Sequence, residues 1–210
     1  MQITSKNNNV MIDKFGATTD MAMIARIVRE IGLVIAGSIL IALAAQFYFP
    51  LPFSPVPITG QTFAVLLLAA LYGHNRGGLT VLTYLILGIA GRPVFASGTF
   101  GIATILGPTG GYLIGFLPAA YVVGILSKYG WDRKAWSTSI SMIIGNIIIY
   151  LFGISWLSQF VGWDNVLQTG FLPFLIGDAA KIALATILLP SGWKLLNKSA
   201  DHSMPTGANL

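Results

Sequence analysis

Six long apolar runs, separated by short stretches that hold nearly all of the charge, constrain this chain more than any other feature. They span Ile31 to Phe49, Ile58 to Tyr72, Gly77 to Ala90, Gly110 to Lys128, Ala135 to Phe160 and Phe171 to Leu196. A membrane-spanning helix needs about 20 mostly apolar residues. The second and third runs fall short of that, so they are expected to continue into neighbouring loops or to be shielded by protein. Composition agrees: 55% of residues are hydrophobic and 9% charged, with a mean hydropathy of +0.76, against about 25% charged in an ordinary soluble domain. The solvent for most of this surface is therefore lipid. At 210 residues the chain reads as one transmembrane domain, 31–196, between an N-terminal tail with lead-in, 1–30, and a C-terminal tail, 197–210. Thr19 or Asp20 is placed to cap an amphipathic lead-in, Met21 to Glu30, lying at the membrane surface.

Charge placement sets the topology. Lys6, Lys14, Arg26 and Arg29 precede the first run, and Arg76 separates the second from the third. Lys128, Arg133 and Lys134 lie between the fourth and fifth, and Lys194 and Lys198 end the sixth. By the positive-inside rule these mark the cytoplasmic side and put both termini there. The opposite loops carry only Arg92. The formal net charge of +5 is thus a topology signal rather than a nucleic-acid footprint. The first run is longer than a signal-peptide core, and Asp13, Asp20 and Glu30 precede it, so it reads as an uncleaved span.

Several chemistries find no support. Zero cysteines exclude a disulfide framework, a thiolate metal site and a cysteine nucleophile. His74 and His202 are too far apart to suggest a metal site. There is no G-x-x-x-x-G-K-[ST] phosphate loop, so the chain is not its own ATPase, and no H-E-x-x-H or G-x-S-x-G motif.

Asp178 and Lys181 stand out against that apolar background. Residues at i and i+3 share a helix face, so carboxylate and ammonium can meet at one spot. A lone charge at the centre of a membrane helix costs roughly 2.5–3.5 kcal/mol on insertion scales. Two readings follow: an ion pair that pins neighbouring helices, or a polar anchor for a small solute. Asn146, one turn before Tyr150 on the fifth run, is open to an interhelical hydrogen bond or a ligand contact. Two long apolar loops, around 50–62 and 91–112, open on the side from which Asp178 lies about seven residues deep; loops of this length usually line or cover a site. The first is proline-stiffened, suiting an ordered lid without a hydrogen-bond ladder. Phe53, Phe95, Tyr112 and Trp156 can stack on an apolar ring or belong to interfacial aromatic belts. Gly32, Ala36, Gly37, Ser38, Ala42, Ala44 and Ala45 give the first run a small-residue face for close helix packing, within the bundle or onto another subunit.

The run Pro52-Phe53-Ser54-Pro55-Val56-Pro57-Ile58-Thr59-Gly60-Gln61-Thr62 resembles the segment between the first two helices of the BioY family, the biotin-specific S components of energy-coupling-factor (ECF) transporters. The resemblance continues through Gly91-Arg92-Pro93-Val94-Phe95-Ala96, Gly107-Pro108-Thr109-Gly110-Gly111-Tyr112 and the Gly177-Asp178-x-x-Lys181 of the last run, covering roughly Ile31 to Leu196. It implies an all-α integral membrane bundle of six transmembrane helices, ECF S-component-like, with both termini cytoplasmic, in a bacterial cytoplasmic membrane. It implies an outward-facing pocket for biotin, closed by the loops after helices one and three. Asp178 and Lys181 map onto family binding residues, Tyr112 borders the pocket, and Gln61, Phe95 and Asn146 are further candidate ligand contacts. Ala36, Ala42 and Ala44 fall on the family's docking face for a membrane-embedded coupling (T) subunit, which works with paired cytoplasmic ATPase subunits. No cofactor, metal or nucleic acid is implied. Biotin's chemistry suits such residues: Asp178 can accept a urea N–H, while Lys181 can donate to the urea carbonyl or neutralise the carboxylate. The alternatives are a stand-alone carrier for biotin or a related vitamin, and a non-transporting subunit in which the ion pair is internal glue.

Overall fold

In the computed structural model, residues 10–14 and 23–202 are described, with side chains for 10–12 and 23–197. The proposed caps Thr19 and Asp20, the start of the lead-in, and nearly all of both tails lie outside those residues. The described elements are α1 (Met11–Lys14), α2 (Met23–Gln46), β1 (Tyr48–Leu51), β2 (Ser54–Thr59), α3 (Gln61–Ile89), α4 (Ile102–Leu106), α5 (Gly110–Lys128), α6 (Ala135–Val161), α7 (Trp163–Gly170) and α8 (Leu175–His202). Lead-in residues 23–30 are not a separate surface element: they continue without a break into the first span as α2.

Among the described residues, four helical stretches are long and apolar enough to cross a membrane: Met23–Gln46, Gly110–Lys128, Ala135–Val161 and Trp163–Asn197. The remaining two spans are the arms of α3. A straight helix would hold Gln61 and Tyr84 about 35 Å apart, yet the Gln61 amide donates to the Tyr84 hydroxyl. A Cβ added at Gly77 would lie 2.9 Å from the Ala69 Cα. The chain therefore folds back on itself at Gly73, whose φ of +78° is a left-handed conformation that a side chain would resist. Both arms are short, as the sequence indicates, and both are heavily shielded, with Val65, Leu66, Ala69, Ala70, Val81 and Tyr84 nearly inaccessible.

Helix α5 is the centre of the bundle, packed between the α3 hairpin and α6. Its small residues Ala119, Ala120 and Val123 are fully buried and let its neighbours approach. On the other side of the hairpin lies α2, where the Ser38 hydroxyl donates to the Thr80 carbonyl at 2.9 Å. Helix α8 packs on α6 and, less extensively, on α3. Much of the surface of α2 and α8 is exposed aliphatic side chain, including Ile35, Ile39, Leu43, Leu184 and Ile187. That exposure is ruinous in water and appropriate in lipid.

The first loop departs from expectation. Instead of a segment without a hydrogen-bond ladder it is an antiparallel hairpin, with Tyr48 opposite Thr59, Phe49 opposite Ile58 and Leu51 opposite Ser54 across a bulge. A two-stranded ribbon consists of edges only, so every second N–H points away from the partner strand. Pro55 and Pro57, two apart, fit such positions without removing a ladder bond. The second loop runs through a single 3₁₀ turn, Ala96–Gly98, and the short α4. One further element was not legible in the sequence: α7, a brief amphipathic helix before the last span.

Candidate functional site

Between the hairpin, the 95–109 loop and the adjoining parts of α3, α5, α6 and α8 lies a cavity of about 600 Å³, within the range of small-ligand sites. All six residues expected to touch a ligand, Gln61, Phe95, Tyr112, Asn146, Asp178 and Lys181, line it. They converge from four helices and a loop widely separated in sequence. The hairpin and the loop are tied to neighbouring helices: the Ser54 hydroxyl donates to the Thr169 carbonyl at 2.7 Å, the Gln46 amide to the Phe95 carbonyl at 3.2 Å, and the Trp156 indole to the Gly107 carbonyl at 2.9 Å.

The charged pair occupies the floor. Lys181 Nζ lies 3.1 Å from Asp178 Oδ1 and also donates to Thr62 Oγ1 at 2.9 Å. The other carboxylate oxygen, Oδ2, accepts from the Tyr150 hydroxyl. Asp178 is almost completely buried while the Lys181 side chain keeps about a fifth of its surface accessible, at 21%. The pair thus links α3, α6 and α8 and also lines the cavity. An ammonium has three donors and a carboxylate about four acceptor positions. The protein uses two of each here, which leaves one donor and two acceptor positions for a ligand.

Asn146 resolves differently. It is buried beside the pair, and among the described residues no hydrogen bond from its amide to the protein is found. Its amide atoms are not among the sealed unsatisfied ones, which are Thr80 Oγ1 and Asp132 Oδ1 among the described residues, so its donor and acceptor capacity opens onto the cavity. Gln61 is more committed: its oxygen accepts from Thr59 Oγ1 at 3.1 Å and its nitrogen faces Tyr84.

The aromatic residues divide. Tyr112 donates its hydroxyl to the Gly170 carbonyl at 2.7 Å, and its ring fits against Gly153, where any Cβ would collide with it. What it offers the cavity is therefore ring surface. The ring of Phe95 sits edge-on to Tyr84, 5.5 Å between centroids, wedged against Gly88; it forms wall and is 1% exposed. Phe53 and Trp156 do not line the cavity: Phe53 is exposed, and Trp156 anchors the Gly107 turn. Tyr150, Phe116, Phe174 and Thr62 also line the cavity and are not among the ligand contacts expected from the sequence. The spacing of Tyr150 one turn after Asn146 was the available signal; Phe116 and Phe174 look like any other apolar span residue.

Of the small residues on α2, Gly37, Ser38 and Ala45 are buried in the bundle, Ala42 and Ala44 are half-buried against its core, and Ala36 is exposed. The face is thus shared between internal packing and the outer surface. Among the described residues no three His, Cys, Asp or Glu side chains gather as a metal set. The site offers charge, one free amide and aromatic walls.

A bundle of six membrane spans with a mostly apolar cavity and a few converging polar groups defines a multi-pass membrane protein of the solute-binding kind. The chain belongs to the BioY family, whose model matches residues 11–198. It is similar to the probable biotin transporter BioY of Pyrococcus horikoshii, 40% identical over 160 residues, covering 76% of this chain and 93% of that protein. It is similar also to the biotin transporter BioY of Thermotoga maritima, 36% identical over 157 residues, with coverage of 74% and 92%. Among solved structures, the crystal structure of the S component for biotin from an ECF-type ABC transporter superposes with a TM-score of 0.73, covering 83% of this chain and 95% of that one at 26% identity.

Proposed function

We propose that this chain is the biotin-binding membrane subunit of an ECF-type vitamin importer. The observation that carries the reading is the cavity floor: a hydrogen-bonded Asp178–Lys181 pair with spare capacity beside an unpartnered Asn146 amide, under aromatic walls. Biotin presents a urea with two N–H donors and one acceptor, an apolar bicyclic body and an anionic arm. Asp178 accepts from a urea N–H, Asn146 pairs with the polar edge of the same ring, and Tyr112, Phe116 and Phe174 enclose the apolar body. Lys181 takes either the urea carbonyl or the terminal carboxylate. Charge-assisted hydrogen bonds in a water-poor cavity give both strength and selectivity, because an analogue lacking the urea strands these groups unpaired.

In this proposal the hairpin and the 95–109 loop are the lids, and the cavity end faces outward in a bacterial cytoplasmic membrane with both termini inside. The exposed stripe of α2 that includes Ala36, with Ala42 and Ala44 at its margin, meets a membrane-embedded T subunit, and paired ATPases drive reorientation. The test is equilibrium binding of biotin to the detergent-purified chain, with mass spectrometry of whatever small molecule co-purifies. Submicromolar binding with one biotin per chain supports the proposal; no binding, or co-purification of an unrelated solute that biotin does not displace, overturns it. A second reading, the pair as internal glue, is favoured by its bonds to Thr62 and Tyr150. It predicts lost thermal stability on substitution with no ligand at all.

A further inference from the structure

The cavity is asymmetric in both charge and exposure. Among the described residues that line it, Asp178 and Lys181 alone are charged. Thr62 and Asn146 lie beside Lys181, the three bordering a small recess between α3, α6 and α8. This end is closed off: Asp178 is 6% and Asn146 9% exposed. On the loop side the lining includes Tyr48, Pro50, Ser97, Thr99 and Ala103, all exposed, so the cavity reaches the protein surface there. That stretch offers hydroxyls and apolar groups but no cation. Thr109 and Phe116, both lining residues of α5, lie about 10 Å apart along that helix, a length comparable with extended biotin.

The spare hydrogen-bonding capacity of the buried end decides which part of biotin lies there. Lys181 keeps one donor and Asp178 two acceptor positions beyond their bonds to each other, Thr62 and Tyr150. A urea is the complement of that set, with one acceptor and two N–H donors. A carboxylate offers acceptors only. Placed at the pair, it would leave Asp178 facing acceptors and add a second anion beside a single ammonium, which disfavours keeping both ionised. With the urea at the pair, the arm runs toward the exposed loop side. A carboxylate that stays hydrated there gains little from neighbouring hydroxyls, because water already supplies the same bonds.

We propose that the site reads the urea-bearing ring system and not the charge or length of the arm, so that its substrate class takes in biotin amides, biotinyl-lysine among them, as well as the free acid. This inference rests on the biotin-binding reading and assigns Lys181 to the urea carbonyl. The experiment is calorimetric titration of the detergent-purified full-length protein with biotin, biotin methylamide, biotinyl-lysine and iminobiotin, in which a cyclic guanidine replaces the urea. Both amides are expected to bind within about fivefold of biotin, and iminobiotin at least about a hundredfold more weakly, because it presents a donor where the carbonyl acceptor was. Lys181→Ala should weaken biotin and its methylamide by the same factor, within about twofold. Tight binding of biotin with a loss of about tenfold or more for either amide, or a Lys181→Ala variant that weakens biotin but not the methylamide, would overturn this inference and leave the biotin reading standing. Failure of biotin itself to bind would overturn both.

Discussion

In the proposal Asp178 and Lys181 both join helices and grip the ligand, and substitutions can separate the two roles. Asp178→Asn retains shape but removes the charge that pairs with Lys181, and Lys181→Ala strands a nearly buried carboxylate. Both should weaken biotin binding at least tenfold, about 1.4 kcal/mol, by calorimetric titration, and both should lower the melting temperature, since breaking a buried pair is costly. Asn146→Leu is the sharper probe. Its amide holds no described protein partner, so thermal stability should be unchanged or higher while biotin binding falls about tenfold or more; a stability loss with binding intact would return Asn146 to a packing role. At this scale the sequence was most informative where polarity broke an apolar pattern, because charge inside a membrane demands a partner whichever fold supplies it. It was least informative for Phe116, Phe174 and the inactive part of the aromatic set. An aromatic ring costs nothing to leave in lipid, so its presence says little about which way it faces.

At the scale of elements, the turn at Gly73 makes six spans out of five long helical segments. Its positive φ and the 2.9 Å approach of an added Cβ to Val10 predict that Gly73→Ala costs about 1–2 kcal/mol, read as an earlier thermal transition, without altering Gln61 and Thr62, the cavity-lining residues at the far end of the first arm. An unchanged transition would mean that the reversal does not depend on glycine. The existence of these short spans was readable from hydropathy; their mutual packing was not, since it depends on which small residues meet. The same holds for the lid hairpin. Four prolines in eight residues (50, 52, 55 and 57) argue against a ladder until their spacing is matched to the outward-facing N–H positions of an isolated ribbon. Helix α7 and the merging of the lead-in into α2 escaped because neither changes the hydropathy profile enough to mark a boundary.

For the whole molecule, the arrangement is a cavity with a charged floor at one end of an apolar bundle, basic residues at the other, and aliphatic surface between. Family membership and the overall architecture follow from the chain's motifs and its superposition on a biotin S component; how the lids move and what docks on α2 belong to the proposal. The most direct test of the central claim is a structure of the full-length protein solved with biotin. The account expects ligand density inside the cavity between the hairpin and the α8 pair, within hydrogen-bonding distance of Asp178 and Asn146. Density elsewhere on the bundle, with those two side chains still turned only toward the protein, would contradict it.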